Sequence, residues 1–391
     1  MTEVRVYSPE LELQGIIDEF SSLIWIRRYF EPGEFELHCP YSESNRQMLI
    51  AENIVQRFND LRTLEAGVIE SITMDADEIV AKGRFMESYL ERRLIRGTYT
   101  YGDTAENIMR SIVSSMSQIP MLTLGDLKGY TSALSFQISY KNVLSTFKKI
   151  AKSTGTGYRI RPDLSERVLY FEVYEGKDRS QDNADKVIFS EKYDNLQNEQ
   201  WKYNTTDYKT MAYAAQTINQ TLMVYPTGSG EGLGLREVKI TTSVDTKDMS
   251  AAQIQAAMME DAQASLANKT IAESFSFSTT DEPFTYRHNY DVGDIVLIKH
   301  NAWNYSNSLR VTEVEEDYER GGMDTVLTCG TTAPITVDWT AESEEKQCQY
   351  MQMNTDISLI HQEGTGHMRQ SHLKTGLSRF LQRAYFKGAC R

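Results

Sequence analysis

The feature that most constrains the fold of this chain is a run of short, alternating strand patterns in its first hundred residues. Residues 34–39 alternate apolar and polar side chains, which is the period of a half-buried strand. The Pro32-Gly33 pair just before them is a turn signal. Residues 65–73 and 78–85 predict a hairpin across an acidic turn. This block contains no nucleophile, metal cluster or phosphate loop in its sequence, so it indicates a building part and not a catalyst.

The length and the charge narrow the class of protein. A chain of 391 residues suits about two to four domains, and a hydrophobic content of 40% is enough to form real cores. The formal net charge of -14 argues against a general nucleic-acid binder, which needs a basic face, and against docking on anionic lipid. The 22 tyrosines favour β-rich packing and polar protein interfaces.

The cysteines are isolated along the chain and form no CxxC pair, which indicates a reduced compartment and not a disulfide framework. The N-terminus alternates like a strand and does not resemble a signal peptide. No segment approaches the roughly 18 uninterrupted apolar residues of a membrane span. We therefore expect a protein that is made in the cytoplasm and stays soluble. The cysteines are Cys39, Cys329, Cys348 and Cys390.

Residues 96–189 predict a separate α+β unit. Asp103 is a good N-cap with Glu106 three residues on, and the apolar positions behind it repeat at three and four residues, as on one helix face. A second helix is predicted over residues 141–152 and ends at Gly155. Two strand patterns follow, so we expect a small layer domain inserted into the β scaffold.

Strand patterns resume over residues 190–225 and again over residues 235–335. Within the second stretch, residues 250–268 predict the strongest helix of the chain, rich in Ala, Gln and Met and capped by Ser250 or Asp248. The two β regions share no letter-for-letter repeat, but they are compatible with one fold used twice.

The last segment, residues 336–391, differs in character. It is acidic at first and turns basic after Glu363, and apolar positions between Leu373 and Tyr385 predict a short amphipathic helix. We expect a tail helix that packs on its own chain or on a sister subunit. The alternative is docking on another partner or on a membrane surface.

Three patterns that suggest chemistry are each better explained without it. His361, His367 and His372 lack the paired spacing of zinc ligands and predict a solvated loop. The glycine-rich residues 228–234 precede an alternating strand, whereas a phosphate cradle needs a helix N-terminus. The carboxylates of residues 313–319 predict a solvated acidic strand edge, since a glycosidase needs two carboxylates at a fixed distance across a cleft.

Two arginine pairs are sharper polar features. Arg27-Arg28 and Arg92-Arg93 each follow apolar or aromatic residues, and the rigid guanidinium fork of Arg suits carboxylates at interfaces. We predict interface or intersubunit salt bridges for these four arginines, and an interface position for Tyr385. The alternative is ordinary surface pairing with nearby glutamates, which contributes little. Those glutamates are Glu31, Glu34 and Glu91.

Several stretches, in their order and spacing, resemble a known family. They are SLIWIRRYFEPGEFELHCP, VAKGRFMESYLERRLI, KVIFSEKYDNL and YRHNYDVGDIVLIK. Together they resemble the tail-hub proteins of siphophages and prophages of Gram-positive bacteria, the tail-associated proteins that sit below the distal tail ring. The likeness is strongest over residues 1–115.

The resemblance implies a β-rich α+β fold with two tube-like β-barrel or sandwich domains, inserted small α+β elements and a helical C-terminal tail. The expected boundaries are residues 1–95 plus 190–225 for the first tube-like domain, 96–189 for the inserted α+β domain, 235–335 for the second tube-like domain with the helix at 250–268, and 336–391 for the C-terminal extension.

The resemblance also implies a structural tail-tip, or baseplate, hub with no catalysis, no cofactor and no metal. Such hubs are trimers whose six similar domains match a hexameric ring, so the expected partners are sister subunits, the distal tail ring and a tail fibre, spike or tape-measure protein. The hub would be assembled in the host cytoplasm, close the tail tube of the virion and open for DNA passage. We expect acidic side chains along the lumen, because they repel the DNA backbone.

Two rival functions stay open. One is a tail-tip peptidoglycan hydrolase, although no Cys-His, Glu-Asp or zinc set stands out, and the chain stops where many relatives continue into fibre or hydrolase regions. The other is a receptor- or carbohydrate-binding module that uses exposed aromatic side chains such as Trp303, Tyr305 and Trp339.

Overall fold

Strands dominate the part of the chain that the structure describes. The computed structural model describes residues 3–58, 65–115, 119–180, 183–242, 244, 249–280, 282–319 and 322–331. They form a β-rich α+β protein, which confirms the predicted fold class. None of the helices in these residues is long and apolar enough to cross a lipid bilayer. The predicted C-terminal helix lies outside them.

Seven strands and one short helix form the N-terminal part. They are β1 (Glu3–Tyr7), β2 (Leu13–Ile17), β3 (Ser22–Arg28), β4 (Glu34–Pro40), α1 (Glu43–Met48), β5 (Ile54–Phe58), β6 (Gly67–Met74) and β7 (Glu78–Phe85). The predicted β6–β7 hairpin is present, and β3 and β4 form a second hairpin around the Pro32-Gly33 turn. The inward residues of these strands pack a core that includes Trp25, whose side chain is fully buried.

A small α+β unit follows, where the sequence predicts one. Its elements are a 3₁₀ helix (Met86–Arg92), β8 (Thr98–Thr104), α2 (Ala105–Ser114), β9 (Leu122–Leu124), β10 (Ala133–Ser139), α3 (Val143–Thr154), β11 (Gly157–Asp163) and β12 (Val168–Tyr174). Thr104 caps α2 in place of the predicted Asp103, because its hydroxyl reaches the backbone N–H of Asn107. Gly155 ends α3 in the left-handed conformation, with φ of 74°.

The middle of the chain contributes short strands and a helical layer. These elements are β13 (Asp178–Arg179), β14 (Ile188–Ser190), a 3₁₀ helix (Glu191–Tyr193), β15 (Gln197–Asn204), β16 (Met211–Ile218), β17 (Thr221–Gly228), a 3₁₀ helix (Gly232–Gly234), β18 (Glu237–Thr241) and α4 (Ala251–Ala267). The predicted helix α4 starts at a capping box formed by Ser250 and Gln253. It packs on the β17-β16-β18 sheet around Ala212, Ala214 and Met258.

The last four strands join the large sheet. They are β19 (Ala272–Thr279), β20 (Ile295–His300), β21 (Tyr305–Glu319) and β22 (Gly322–Gly330). Because β21 pairs with β3, one sheet runs in the order β15-β19-β22-β21-β3-β4-β7-β6-β5-β1-β2, with β20 also on β21, and with β13 and β14 on β20. Among the described residues this path has two ends, so the strands form an open sheet and not a closed barrel.

The large sheet consists of two β units with the same strand order. The first β unit comprises β3–β7, in the order β5-β6-β7-β4-β3. The second β unit comprises β15 and β19–β22, in the order β20-β21-β22-β19-β15. Every neighbouring pair in both units is antiparallel. The sequence therefore uses one strand topology twice, without a letter-for-letter repeat.

The two units also share a β-bulge in the same place. The pairing of β6 with β7 shifts just after Ile69, and the pairing of β21 with β22 shifts just after Val311. The N–H of Glu52 donates to the carbonyl of Ile69 at 2.9 Å, and the N–H of Gly293 donates to that of Val311 at 2.8 Å. Glu52 and Gly293 both have positive φ, 72° and 100°. A bulge inserts one residue and re-aims a strand, so its recurrence fixes the residue correspondence between the units.

The strand pairing corrects two predicted boundaries. Residues 190–225 were expected to complete the first tube-like domain, but β14 and β15 pair with β20 and β19 of the second β unit. The helix at 250–268 was expected within the second tube-like domain, but it packs on β16–β18 as a separate small layer. The separate layer arises because residues 205–271 are inserted between β15 and β19, two strands that pair with each other.

Candidate assembly interface

Strands β3 and β21 form the internal junction, the place where the first β unit meets the second. Their antiparallel register sets Trp25 opposite Glu316 and Arg28 opposite Glu313. Arg28 lies on the outer side of this junction, 2.6 Å from Glu313 and 2.6 Å from Glu34. The guanidinium therefore ties together β21, β3 and the start of β4.

Buried charged side chains lie on the inner side of the internal junction. Glu65, which precedes β6, forms an ion pair with Arg27 at 2.8 Å and accepts a hydrogen bond from Arg287 at 3.0 Å. Arg27 also lies 2.5 Å from a carboxylate oxygen of Asp291 and donates to the hydroxyl of Tyr286. Because Arg27 and Glu65 come from one unit and Arg287 and Asp291 from the other, these bonds hold the two units together.

The same buried network continues through Glu316 of β21. Its carboxylate lies 2.5 Å from Arg57 of β5 and 3.4 Å from Arg287. The hydroxyl of Tyr318 donates to Glu316 at 2.9 Å and accepts from Arg57. We call the side chains of Arg27, Arg57, Glu65, Arg287 and Glu316 the buried charge network.

Glu65 is ionised in the folded protein. Burial alone would raise the pKa of Glu65, but Arg27, Arg287 and Arg57 outweigh burial and lower the pKa to about 2. A buried charge that loses its partner typically destabilises a protein by about 3–5 kcal/mol. The buried charge network therefore makes the relative position of the two units costly to change.

The opposite face of the sheet at the internal junction is acidic. Outward-facing carboxylates lie side by side on β21 and β4, and burial followed by neighbouring carboxylates raises the pKa of Glu315 and of Asp317. Strand β21 pairs with β3 and β22, so these residues lie on a sheet face and not on the predicted strand edge. We call this surface the acidic face; it comprises Glu34, Glu36, Glu313, Glu315 and Asp317.

Several stretches of the large sheet have strand partners on one side only among the described residues, and they include β2, β15 and part of β6. Strand β15 pairs with β19 alone, and residues 70–74 of β6 pair with β7 alone. Both stretches carry large apolar side chains that face solvent. Trp201 is 43% exposed, Tyr203 is 52% exposed and Met74 is 49% exposed. Exposed edges of this kind are templates for pairing with another chain.

The structure brings only some of the predicted interface residues together. Arg27 is buried inside the chain, with 4% of its surface exposed, and Arg28 is on the outer side of the same junction. Arg92 lies 2.6 Å from Glu52, and with Arg93 it lines a groove of about 400 Å³ that includes Tyr99. Tyr385 lies outside the described residues. Contacts of these residues with another subunit stay a prediction.

A histidine and two carboxylates form a further cluster, on the second β unit. The ring of His300 lies 3.0 Å from Glu199 and 3.3 Å from Glu191 through Nε2, and it stacks on Trp303 with 3.9 Å between ring centroids. The backbone N–H of Trp303 points at Nδ1 at 3.2 Å. A neutral ring that accepts at Nδ1 carries its proton on Nε2, where a metal would need a lone pair. This geometry fits a hydrogen-bonded cluster better than a metal site.

The other predicted chemical patterns have ordinary positions. The glycine-rich residues 228–234 lead into strand β18, so they form no helix N-terminus that holds phosphate. Tyr305 packs against Trp201 and Phe275 at the edge of the second core. The three clustered histidines, Trp339 and the basic C-terminal segment lie outside the described residues.

Residues 3–331 match the family model described as Siphovirus ReqiPepy6 Gp37-like protein. The chain belongs to this family. The match spans both β units and the inserted layers, which confirms the resemblance to siphophage proteins. Among proteins with curated annotation, none matches the chain.

Two solved structures share the fold of this family member. One is the tail protein from Neisseria meningitidis MC58, with a TM-score of 0.57 and 13% identity, covering 86% of this chain and 98% of that one. The other is the 43 kDa tail protein of prophage MuSo2 from Shewanella oneidensis, with a TM-score of 0.56 and 11% identity, covering 85% and 99%. At these identities the likeness concerns the fold.

Proposed function

We propose that this chain is a structural tail-tip hub of a phage or phage-like particle, and that three copies form a ring which closes the tail tube and opens for DNA passage. The observation that carries the proposal is the pair of equivalent β units in one chain. Three chains supply six such units, so the ring presents sixfold pseudosymmetry to a hexameric ring above it and threefold symmetry below. Family membership and the fold shared with two tail proteins support the same role.

In the proposed ring, the acidic face of each copy lines the bore. It spans the internal junction, where β4 and β21 contribute carboxylates on either side of Ile24, Ile26 and Arg28 of β3. Acidic walls repel phosphates and let DNA slide without specific contacts. In this arrangement the buried charge network lies behind the wall and keeps the two units of each copy aligned.

The mass of the intact protein in solution tests this proposal. Native mass spectrometry or light scattering should give three times the chain mass of 44.7 kDa. A protein that is monomeric in solution would overturn it. Loss of cell-wall hydrolysis on changing a single His, Cys or Glu would instead favour a peptidoglycan hydrolase, the rival function.

A further inference from the structure

The internal junction predicts a second, intersubunit junction. In each chain, β21 of the second β unit pairs with β3 of the first. The shared strand order makes β6 the counterpart of β21, and β15 the counterpart of β3. Both counterparts lie among the stretches that have strand partners on one side only in the described residues. We infer that β6 of one copy pairs with β15 of a second copy, in the antiparallel register of the internal junction; this inference rests on the proposed ring.

The shared bulge sets the register. Strand β22 places Cys329 opposite Val311, and β7 places Gly83 opposite Ile69, each at the last pair before the shift. On the next strand of each unit, Phe275 of β19 pairs with Cys329, and Phe35 of β4 pairs with Gly83. The two phenylalanines therefore occupy corresponding positions. Their own partners are given by the next strand, as Trp201 pairs with Phe275 and Trp25 pairs with Phe35.

This correspondence converts each pair of the internal junction into an intersubunit pair. The internal partners of Trp25 and Arg27 are Glu316 and Val314, whose counterparts on β6 are Met74 and Ile72. The inferred pairs, with the β6 residue first, are Ser71 with Asn204, Ile72 with Tyr203, Thr73 with Lys202 and Met74 with Trp201. Asp75, which directly follows β6, would lie opposite Gln200.

The chemistry of the two edges agrees with this register. Trp201 and Tyr203 share one face of β15, and the inferred pairing sets them against Met74 and Ile72, so apolar surface that is now exposed becomes covered. Lys202 and Asn204 share the other face, which continues the acidic face of the sheet. Apolar contacts across strands and burial of large side chains are the forces that stabilise sheet pairing.

The side chains also explain why the two junctions do not exchange. At the internal junction, Glu316 is held by Arg57 and Arg287 in a buried ionic setting. Its counterpart Met74 is apolar, and Ile298, the counterpart of Arg57, is buried in an apolar core. Pairing β15 with β21 would leave Glu316 against Trp201 without the arginine of β5. Glu316 would then keep Arg287 but lose Arg57, and loss of a buried ion-pair partner is costly, so each edge selects its own partner.

The junction is heterologous, since each copy offers β6 to one neighbour and β15 to the other. Such contacts close into rings or grow into filaments. A ring of three copies contains three internal and three intersubunit junctions with one backbone geometry. The proposed trimer is the closed ring in which these junctions number six.

Disulfide trapping tests the inferred register. We would replace Cys348 and Cys390 with serine and introduce Thr73→Cys with Lys202→Cys in the full-length protein. Directly opposed residues have Cβ atoms about 4.5–5.5 Å apart, so mild oxidation should yield covalent dimer and trimer on a denaturing gel. Within one chain these positions are seven strand steps of about 4.8 Å apart, which disfavours an intrachain bond.

The matched control is Ser71→Cys with Gln200→Cys. It uses the same two strands and the same sheet face, but it is four residues out of register, or roughly 13 Å. It should stay uncrosslinked, while native mass spectrometry of each unoxidised variant should give a trimer.

Three outcomes separate the claims. A trimer that crosslinks the control pair as well as the in-register pair, or neither pair, overturns the inferred register and leaves the hub standing. A covalent ladder beyond trimer overturns ring closure. A monomer before oxidation, in the variants and in the unmodified protein alike, overturns the proposed function itself.

Discussion

Trp201 holds the same position in the second β unit that Trp25 holds in the first. Each tryptophan is the cross-strand partner of a phenylalanine, with ring centroids of Trp25 and Phe35 5.9 Å apart, and with Trp201 directly opposite Phe275. Their surroundings differ, because Trp25 is fully buried beneath β21, whereas Trp201 is 43% exposed. The inferred intersubunit junction would cover Trp201 with a strand of another copy, as β21 covers Trp25.

Replacement of Trp201 should weaken assembly and spare the fold. Truncation of a buried aromatic side chain at an interface typically weakens the free energy of binding by about 2 kcal/mol or more. Trp201→Ala should therefore raise the trimer dissociation constant by at least about thirtyfold. Sedimentation equilibrium measures it. Leu222→Ala is the matched control, since Leu222 is 57% exposed on β17, away from both inferred edges. Equal weakening by both variants would contradict this role for Trp201.

Replacement of Glu65 should destabilise the internal junction and so the folded protein. Glu65→Gln removes the charge that faces Arg27 and Arg287, and we expect the free energy of unfolding at pH 7 to fall by about 3–5 kcal/mol. Urea unfolding followed by tryptophan fluorescence measures this free energy. Glu10→Gln, at an exposed position, should change the free energy by less than about 0.5 kcal/mol. A loss below about 1 kcal/mol for Glu65→Gln would show that the network contributes little net stability.

The same carboxylate predicts an acid limit to stability. The pKa of Glu65 is about 2 when folded and 4.5 at its ordinary value, so its stabilising contribution is complete above about pH 4.5. That contribution is lost as the pH falls from about 4.5 towards 2. The urea midpoint of the natural protein should fall through this window, and the slope should be shallower for Glu65→Gln. Parallel curves would contradict the lowered pKa.

Glu87 predicts the opposite dependence on pH. This carboxyl is buried beside β11, where it accepts the N–H of Ile160 at 2.9 Å, and burial raises its pKa to about 7. Folding therefore favours its neutral form, and ionisation reduces stability as the pH rises from about 4.5 through 7. Glu87→Gln, which keeps the acceptor, should increase the free energy of unfolding by up to about 3 kcal/mol at pH 8 and hardly at pH 4.

Thermal melts at the two pH values measure the effect of Glu87→Gln. Glu166→Gln is the control, because Glu166 is an exposed carboxylate in the same small α+β unit. A gain that is equal at pH 4 and pH 8 would mean that the substitution acts through packing and not through the charge.

Reversing the charge of the acidic face should make the ring hold DNA. Glu315→Lys with Asp317→Lys places six lysines in a trimer, and we expect duplex binding to tighten by at least about tenfold at low salt and to weaken steeply with added salt. Glu315→Gln with Asp317→Asn is the neutral control and should bind far more weakly. Fluorescence anisotropy with labelled duplex measures both. If the lysine variant and the neutral control bound duplex DNA with the same affinity, the acidic face would not line the bore.

Local signals made much of the fold predictable. The capping box at Ser250, the left-handed Gly155 and the alternation of β6 and β7 are written in neighbouring residues, so helices α3 and α4 and the hairpin follow from the sequence. The pairing of β15 with β19 does not follow, because residues 205–271 separate two strands whose counterparts β3 and β4 are joined by a short turn.

The candidate interface was harder to predict for a related reason. Arg27 stood out in the sequence, but its partners Glu65 and Asp291 lie far along the chain, and nothing local shows that the site is buried. Arg57 and Arg287 carried no signal, and Glu316 was predicted on a solvated acidic strand edge but is buried. The equivalence of Trp25 and Trp201 likewise cannot be recognised in the sequence. Phe35 follows Trp25 by ten residues, whereas Phe275 follows Trp201 only after the insertion.

The most direct test of the central claim is a density map of the assembled protein, reconstructed without imposed symmetry. We expect a ring of three chains in which first and second β units alternate. In it, β6 of each chain lies beside β15 of the next, and carboxylates line the bore. A single subunit, a ring whose copies meet through other surfaces, or a bore lined mainly by lysine and arginine would contradict the central claim.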